Sequence, residues 1–138
     1  MAGTVSGMGL GLRSVDRKMP VPPEVAWRLL VDVEQWPHWG PSVRRAVLDD
    51  GASRISAGAQ GTVWTAVGVP VRFVVTDFEP GRRWAWKVAG VTATGHEVIE
   101  ESGGCRVRFD VPWWATAYLP VCAAALITIE RLASGRPD

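Results

Sequence analysis

From Ser42 to Val111 the chain is a succession of β-rich segments with no helical period between them. These are Ser42 to Leu48, Gly61 to Val67, Val71 to Phe78, Arg82 to Ala89, Thr92 to Glu101 and Cys105 to Val111. Glycine-containing turns separate them, including Asp49-Asp50-Gly51, Gly68-Val69, Pro80-Gly81 and Ser102-Gly103-Gly104. Strands joined this way form an antiparallel meander. Arg13 to Pro20 adds one strand ahead of them. Helical spacing is confined to two places. Pro22 and Pro23 can open a helix, Glu24 suits its positive end, and Val25, Ala26, Leu29, Leu30 and Val33 recur on one face with Arg28 and Asp32 on the wet side. The Pro37 and Pro41 corner then allows only a short second helical turn or a cap. A last helix runs from Trp113 to Ala133, where Pro120 should kink or restart it. Strands closed by helices are an α+β pattern: a curved antiparallel sheet of about seven strands around a long C-terminal helix, with two short helices after the first strand.

With 138 residues the chain fits one core, and we expect a single domain over 13–134 behind a flexible, Gly-rich leader over 1–12. A formal net charge of +1 with dispersed basic residues gives no field to gather phosphates, so nucleic acid is not an expected partner. Cys105 and Cys122 make no CxxC, and with His38 and His96 they make no metal-ligand spacing; a reduced, cytoplasmic setting without a metal or other cofactor is the simplest expectation. Val111 to Ile129 carries no charged side chain and approaches the length that spans a bilayer. Pro112, Pro120 and many small residues argue against spanning, and a buried core helix, apolar all round and enclosed by protein, is the favoured reading over a membrane anchor.

The unusual feature of the composition is eight Trp beside three Phe and one Tyr. Turn length decides which of them share a sheet face. A two-residue Pro80-Gly81 loop sets Asp77 against Trp84, Val75 against Trp86 and Phe73 against Val88. The Gly68-Val69 turn, treated alike, sets Trp64 against Phe73. A last hairpin loop of two or four residues sets His96 against Phe109, Val98 against Val107 and Glu100 near the rim beside Cys105; a three-residue loop would invert this. One face then holds Trp64, Phe73, Val75, Trp84, Trp86, Val98, Val107 and Phe109, covered by Leu119, Cys122, Leu126, Ile129 and Ala133 of the last helix. The other holds Arg72, Arg83, Lys87, Arg106, Arg108 and Asp110, and reads as a solvated convex side. The aromatic residues either line a cavity for a hydrophobic ligand or fill a core, and the pattern leaves both open.

The order of these features resembles the START-like (SRPBCC, helix-grip) superfamily, in its polyketide cyclase/dehydrase-like branch. The stretch Val21 to Trp39, with its Trp36-Pro37-His38-Trp39 corner, is similar to that family's first helix and corner. Gly61-Thr62, Glu79-Pro80-Gly81-Arg82 with Trp84-Ala85-Trp86, and Gly95-His96 ahead of Gly103-Gly104 follow in the family's order. The resemblance covers roughly Arg13 to Ala133. It implies a cavity between the sheet and the last helix, used in different members for carrying lipids, cyclising polyketides or sensing hormones, and it brings no shared catalytic set. Trp113-Trp114 and Pro120 depart from the family pattern at the start of the last helix.

For chemistry, His96 could serve as general acid or base, or be a structural histidine bonded to a neighbouring strand. Tyr118 could donate a phenolic hydrogen bond to a ligand carbonyl, or hold its hydroxyl in water. Trp36 and Trp39 could gate the cavity, or pin the corner to the core. The leading expectation is a binding protein for a ring-containing or polyketide-like molecule, with cyclase or dehydratase activity as a possible addition; the alternative is a non-catalytic lipid or small-molecule carrier or sensor. The sequence does not assign an oligomeric state.

Overall fold

The computed structural model describes residues 12–135. In chain order these form β1 (Leu12–Met19), α1 (Pro23–Val31), α2 (Trp36–Trp39), β2 (Val43–Leu48), β3 (Gln60–Thr65), β4 (Pro70–Glu79), β5 (Arg83–Val88), β6 (Val91–Glu101), β7 (Gly104–Pro112), a 3-10 helix (Trp113–Tyr118) and α3 (Leu119–Ala133). The seven strands pair antiparallel in one sheet, in the order β1-β7-β6-β5-β4-β3-β2. This is the expected helix-grip α+β arrangement. The expected leader lies outside the described residues, apart from Leu12, which opens β1.

Helix α1 ends at Val31, two residues before the last residue of its apolar face. The backbone leaves the helix there to meet the loop after β2: Val33 N–H donates to Ser53 O at 2.8 Å, and Ile55 N–H donates to Val31 O at 3.0 Å. Ile55 is the one buried residue of that loop and joins the core. The orphan carbonyls at the end of α1 receive the two indoles of the next corner. Trp36 Nε1–H donates to Leu30 O and Trp39 Nε1–H to Leu29 O, each at 2.8 Å. The corner is thereby pinned.

The last helical stretch breaks where Pro120 predicts. The 3-10 segment ends at Tyr118, and Pro120 sits in the first turn of α3, where its missing N–H costs nothing. Cys122, Ala125, Leu126 and Ile129 are buried against the sheet, and Leu119 and Ala133 pack on the core. The expectation of an enclosed helix needs correction, because Ile127 and Leu132 on its other side remain exposed. By length and composition Trp113–Ala133 could cross a membrane, but here one face of α3 covers the sheet and the rest faces outward.

Several pairing registers match the expectation. His96 faces Phe109, Val98 faces Val107 and Glu100 faces Cys105 across a Ser102-Gly103 turn, with Glu100 exposed at the rim. On β4 and β5, Phe73 faces Val88 and Val75 faces Trp86, but Trp84 faces Phe78 instead of Asp77. The connection is a three-residue loop, Pro80-Gly81-Arg82, between the paired Glu79 and Arg83 rather than the expected two residues, and a bulge between Val75 and Asp77 restores the expected register beyond it. Trp64 is the clear correction. It pairs with Pro70, and Phe73 pairs with Gly61, because the β3–β4 loop comprises residues 66–69 rather than two residues. A register changed by an odd number of residues moves each side chain to the other face. Trp64 therefore lies on the convex side, with the Arg45 guanidinium 4.6 Å from its ring centroid. Gly61 gives Phe73 its room, since a Cβ there would meet the ring at 2.8 Å.

The convex face carries ion pairs, among them Arg72 with Asp49 at 2.6 Å and Arg106 with Asp16 at 2.7 Å. Asp110 differs from the solvated residue expected: it is 7% exposed and binds Arg83 at 2.8 Å. Gly95 makes this possible, because a Cβ on it would lie 2.5 Å from Asp110 Oδ1.

The β5–β6 turn holds Ala89 at φ 54°, followed by Gly90 at φ 78°. Two positive φ values define a type I′ turn, which favours Asn-Gly. Ala89→Asn should therefore stabilise the fold by about 1 kcal/mol, relieving left-handed strain. Urea denaturation checks this, and an unchanged or lower midpoint would contradict it.

Candidate functional site

The concave face is filled more completely than its sequence suggests. Phe73, Val75, Trp84, Val98, Val107 and Phe109 are all buried, and Trp36 of α2 stands in their midst. Its indole stacks on Trp84 with centroids 5.3 Å apart and planes 8° from parallel. It also meets Trp86 edge-on at 5.2 Å and Phe73 at 5.6 Å, while Trp39 packs on Phe109 at 5.6 Å. Of the expected ligand-binding residues, Phe73, Val75, Val98, Val107, Leu119 and Leu126 are packing residues that line neither of the cavities described next. Trp64 lies on the far side of the sheet.

Open space lies instead toward the end of the sheet where β3, β5 and β7 finish, beneath the 3-10 helix. An outer cavity of about 340 Å³ is walled by Val63, Val71, Trp86, Val88 and Val111 of the sheet and by Trp114, Ala115 and Tyr118 above it. An inner chamber of about 50 Å³ continues between Trp36, Trp39, Trp84, His96, Phe109 and Cys122. The two share Ser42, Val43, Trp86, Thr94 and Tyr118. At this junction the Tyr118 and Ser42 hydroxyls are 2.5 Å apart. The outer volume suits a small organic molecule, and the inner one a ligand's tip or a water or two.

The expected residues His96, Tyr118, Trp84, Trp86, Phe109 and Cys122 are thus brought together around the chambers. His96 is 2% exposed and lies parallel to Trp84, centroids 4.0 Å apart. Its polar atoms belong to one chain of hydrogen bonds. Trp86 Nε1–H donates to Thr94 Oγ1 at 3.0 Å, the Thr94 hydroxyl donates to His96 Nε2 at 2.9 Å, and His96 Nδ1–H donates to Trp84 O at 3.3 Å. The direction follows from the ends: an indole can only donate and a carbonyl can only accept. Burial pushes the imidazole pKa down to about 3; the bond to the Trp84 carbonyl opposes this, and the nearby Arg83 charge adds to it. His96 is accordingly neutral, with its acceptor nitrogen occupied.

Burial raises the Tyr118 phenol above its usual range, with the Ser42 bond acting the other way. Burial also lifts Cys122 to about 11, and the Asp110 charge adds to that, so it is a thiol rather than a nucleophilic thiolate. Trp84 Nε1 is buried without a hydrogen-bond partner, which costs about 1–3 kcal/mol until an acceptor reaches it. No cluster of three or more His, Cys, Asp or Glu able to hold a metal occurs among the described residues.

Ser42, Thr94, Trp114 and the inward position of Trp36 were missed from sequence. Thr94 was legible, because it lies two residues before His96 on the same strand face. Trp114 was hidden by reading Trp113–Tyr118 as the first turns of the last helix rather than as a separate 3-10 segment over the cavity.

The family model for polyketide cyclase / dehydrase and lipid transport matches residues 14–128. No curated protein matches the sequence. Among solved structures, a Nitrosomonas europaea protein superposes with TM-score 0.71 at 15% identity, covering 90% of this chain and 94% of that one. A Mesorhizobium loti protein gives TM-score 0.71 at 14% identity, with 92% and 99% covered. The Bacillus cereus protein XoxI gives 0.67 at 12% identity, with 89% and 95% covered. At these identities the likeness is one of fold. Since the family model covers most of its length, the chain belongs to the polyketide cyclase / dehydrase and lipid transport family, whose helix-grip fold is a hydrophobic-ligand-binding one.

Proposed function

We propose that the chain binds a ring-containing, polyketide-like molecule in the outer cavity, with an oxygen-bearing end directed into the inner chamber, and that it acts as a carrier. The observation that carries this reading is the cavity of about 340 Å³, walled by valines and by Trp86, Trp114 and Tyr118. Apolar and aromatic walls with few polar groups are the usual make-up of a small-molecule site. An acceptor oxygen is favoured by the donors near the inner chamber: the unpartnered Trp84 Nε1–H and the paired hydroxyls of Tyr118 and Ser42. A ring-containing molecule is favoured over a flexible chain because three aromatic side chains, Trp86, Trp114 and Tyr118, contribute to the wall.

Acid–base catalysis by His96 is not part of this reading. Its lone pair receives the Thr94 hydroxyl, and its protonated form is held off to about pH 3. A cyclase or dehydratase reading would rest on Tyr118 as hydrogen-bond donor to a substrate carbonyl and on the cavity holding the substrate folded. The pair with Ser42 is the observation that favours it, since Ser42 can accept the phenolic proton's bond when no ligand is present.

Calorimetric titration with emodin, an anthraquinone, and with palmitate tests the binding site. Emodin should bind the wild-type protein, and Ala93→Trp, which fills the outer cavity, should weaken it by roughly tenfold or more. Equal binding to both proteins would place the ligand elsewhere, and binding of palmitate alone would favour a lipid carrier. Conversion of a linear polyketide that is lost in Tyr118→Phe would establish the cyclase reading.

The histidine makes a separate prediction. Its folded pKa lies below its unfolded one, so the unfolded chain takes up the extra proton and stability falls as pH drops from about 6.5 toward about 3. Between pH 7 and pH 5 the wild type should lose roughly 2 kcal/mol more than His96→Gln. Paired urea denaturations measure this, and equal losses would mean that His96 is protonated in the folded protein.

A further inference from the structure

We propose that the cavity end of the sheet is a docking surface for an anionic lipid bilayer, onto which the mouth of the outer cavity opens. The sheet has two unlike ends. At one, β2, β4 and β6 finish on or beside acidic residues: Asp49 and Asp50, Asp77 and Glu79, Glu100 and Glu101. At the other, where the cavity opens, the segments 38–46, 60–71, 86–96 and 111–120 contain no Asp or Glu at all. Asp110, next to the last of these, is buried and bound to Arg83.

Exposed apolar side chains gather at the acid-free end. Val67 is 83% exposed, Trp113 63% and Trp114 55%, with Val69 and Val91 about half exposed. They come from the β3–β4 loop, the start of β6 and the 3-10 helix, whose chain positions meet only at this end. Val91 and Trp114 also belong to the wall of the outer cavity, so the exposed side chains and the cavity share one end of the sheet. Large apolar side chains this exposed at one end of the sheet mark an interaction surface, and Trp is the side chain best suited to the boundary between headgroups and acyl chains.

Charge selects the occupant. Arg44, Arg45 and Lys87 are exposed around this end and have no ion-pair partner among the described residues; Arg72, also near this end, is held by Asp49, and Arg83, Arg106 and Arg108, farther along the strands, are paired as well. The Arg44 guanidinium lies against the β3–β4 loop, 3.3 Å from where a Cβ on Gly68 would be. Apolar side chains at the tip with cations behind them match the layering of an anionic membrane surface, acyl region first and phosphate layer second. The contact is peripheral: α3 stays on the sheet. Docking would let an apolar ligand pass between bilayer and cavity without crossing water. The purpose rests on the cavity reading above, but the contact itself does not.

Flotation with phosphatidylcholine vesicles, with and without phosphatidylglycerol, tests the proposal. The wild type should float with the mixed vesicles and roughly tenfold less with neutral ones, the difference shrinking at high salt. A Val67→Ser/Trp113→Ser double variant, altering two exposed residues that do not line the cavity, should lose most vesicle binding and keep emodin binding. Arg44→Glu/Lys87→Glu should lose the preference for phosphatidylglycerol. Ala93→Trp should still float, which separates failure of docking from failure of the cavity reading. A wild-type protein that ignores both kinds of vesicle, or a serine double variant that floats like the wild type, would overturn the proposal.

Discussion

The Trp36 indole is the contact on which the rest of the arrangement depends. One hydrogen bond ties its Nε1 to the carbonyl of Leu30 at the end of α1, and its ring lies flat on Trp84 in the centre of the sheet. Helical corner and sheet are thereby held by one side chain. Because a tryptophan occupies the middle of the concave face, the space a helix-grip fold encloses is divided. A packed core remains beneath α3, and the open volume is displaced toward the ends of β3, β5 and β7. Trp39, tied to Leu29, closes the inner chamber on the side of His96 and Phe109.

That division governs the chemistry. The polar groups deep in the fold are placed where water has little access, so each must find its partner within the protein. His96 does so through Thr94 and Trp84, and remains neutral. Trp84 Nε1 does not, and stays buried without a partner. The outer cavity, by contrast, is walled by valines and aromatic rings and opens at an end of the sheet where the described strands and loops carry no acidic side chains. Polar specificity inside and apolar capacity outside are what a protein needs in order to orient a largely hydrophobic molecule.

Much of the fold could be read from alternation and turns, because both are local. The faces of His96, Val98, Phe109 and Val107 followed from a two-residue turn, and Pro120 announced the start of α3. Trp64 was misplaced because the length of the 66–69 loop is set by how Thr65 and Val69 bond across it, including Val69 N–H to Thr65 Oγ1, which spacing alone does not reveal. Asp77 was misplaced because the loop after Glu79 holds three residues instead of two. The candidate site was less legible than the fold for a different reason. Whether aromatic residues line a void or fill it depends on what arrives from elsewhere in the chain, and the decisive arrival was Trp36, whose neighbours Trp84 and Phe73 are distant in sequence.

The central claim is that the open space lies under the 3-10 helix, beside Trp86 and Trp114, and not along the full concave face. Fluorine NMR of protein labelled with fluorotryptophan tests it directly, with the eight signals assigned by single Trp→Phe substitutions. Saturating emodin should shift the Trp86 and Trp114 signals and leave that of Trp64, on the convex face, where it was. A shift of Trp64 with Trp86 and Trp114 unmoved would contradict the account.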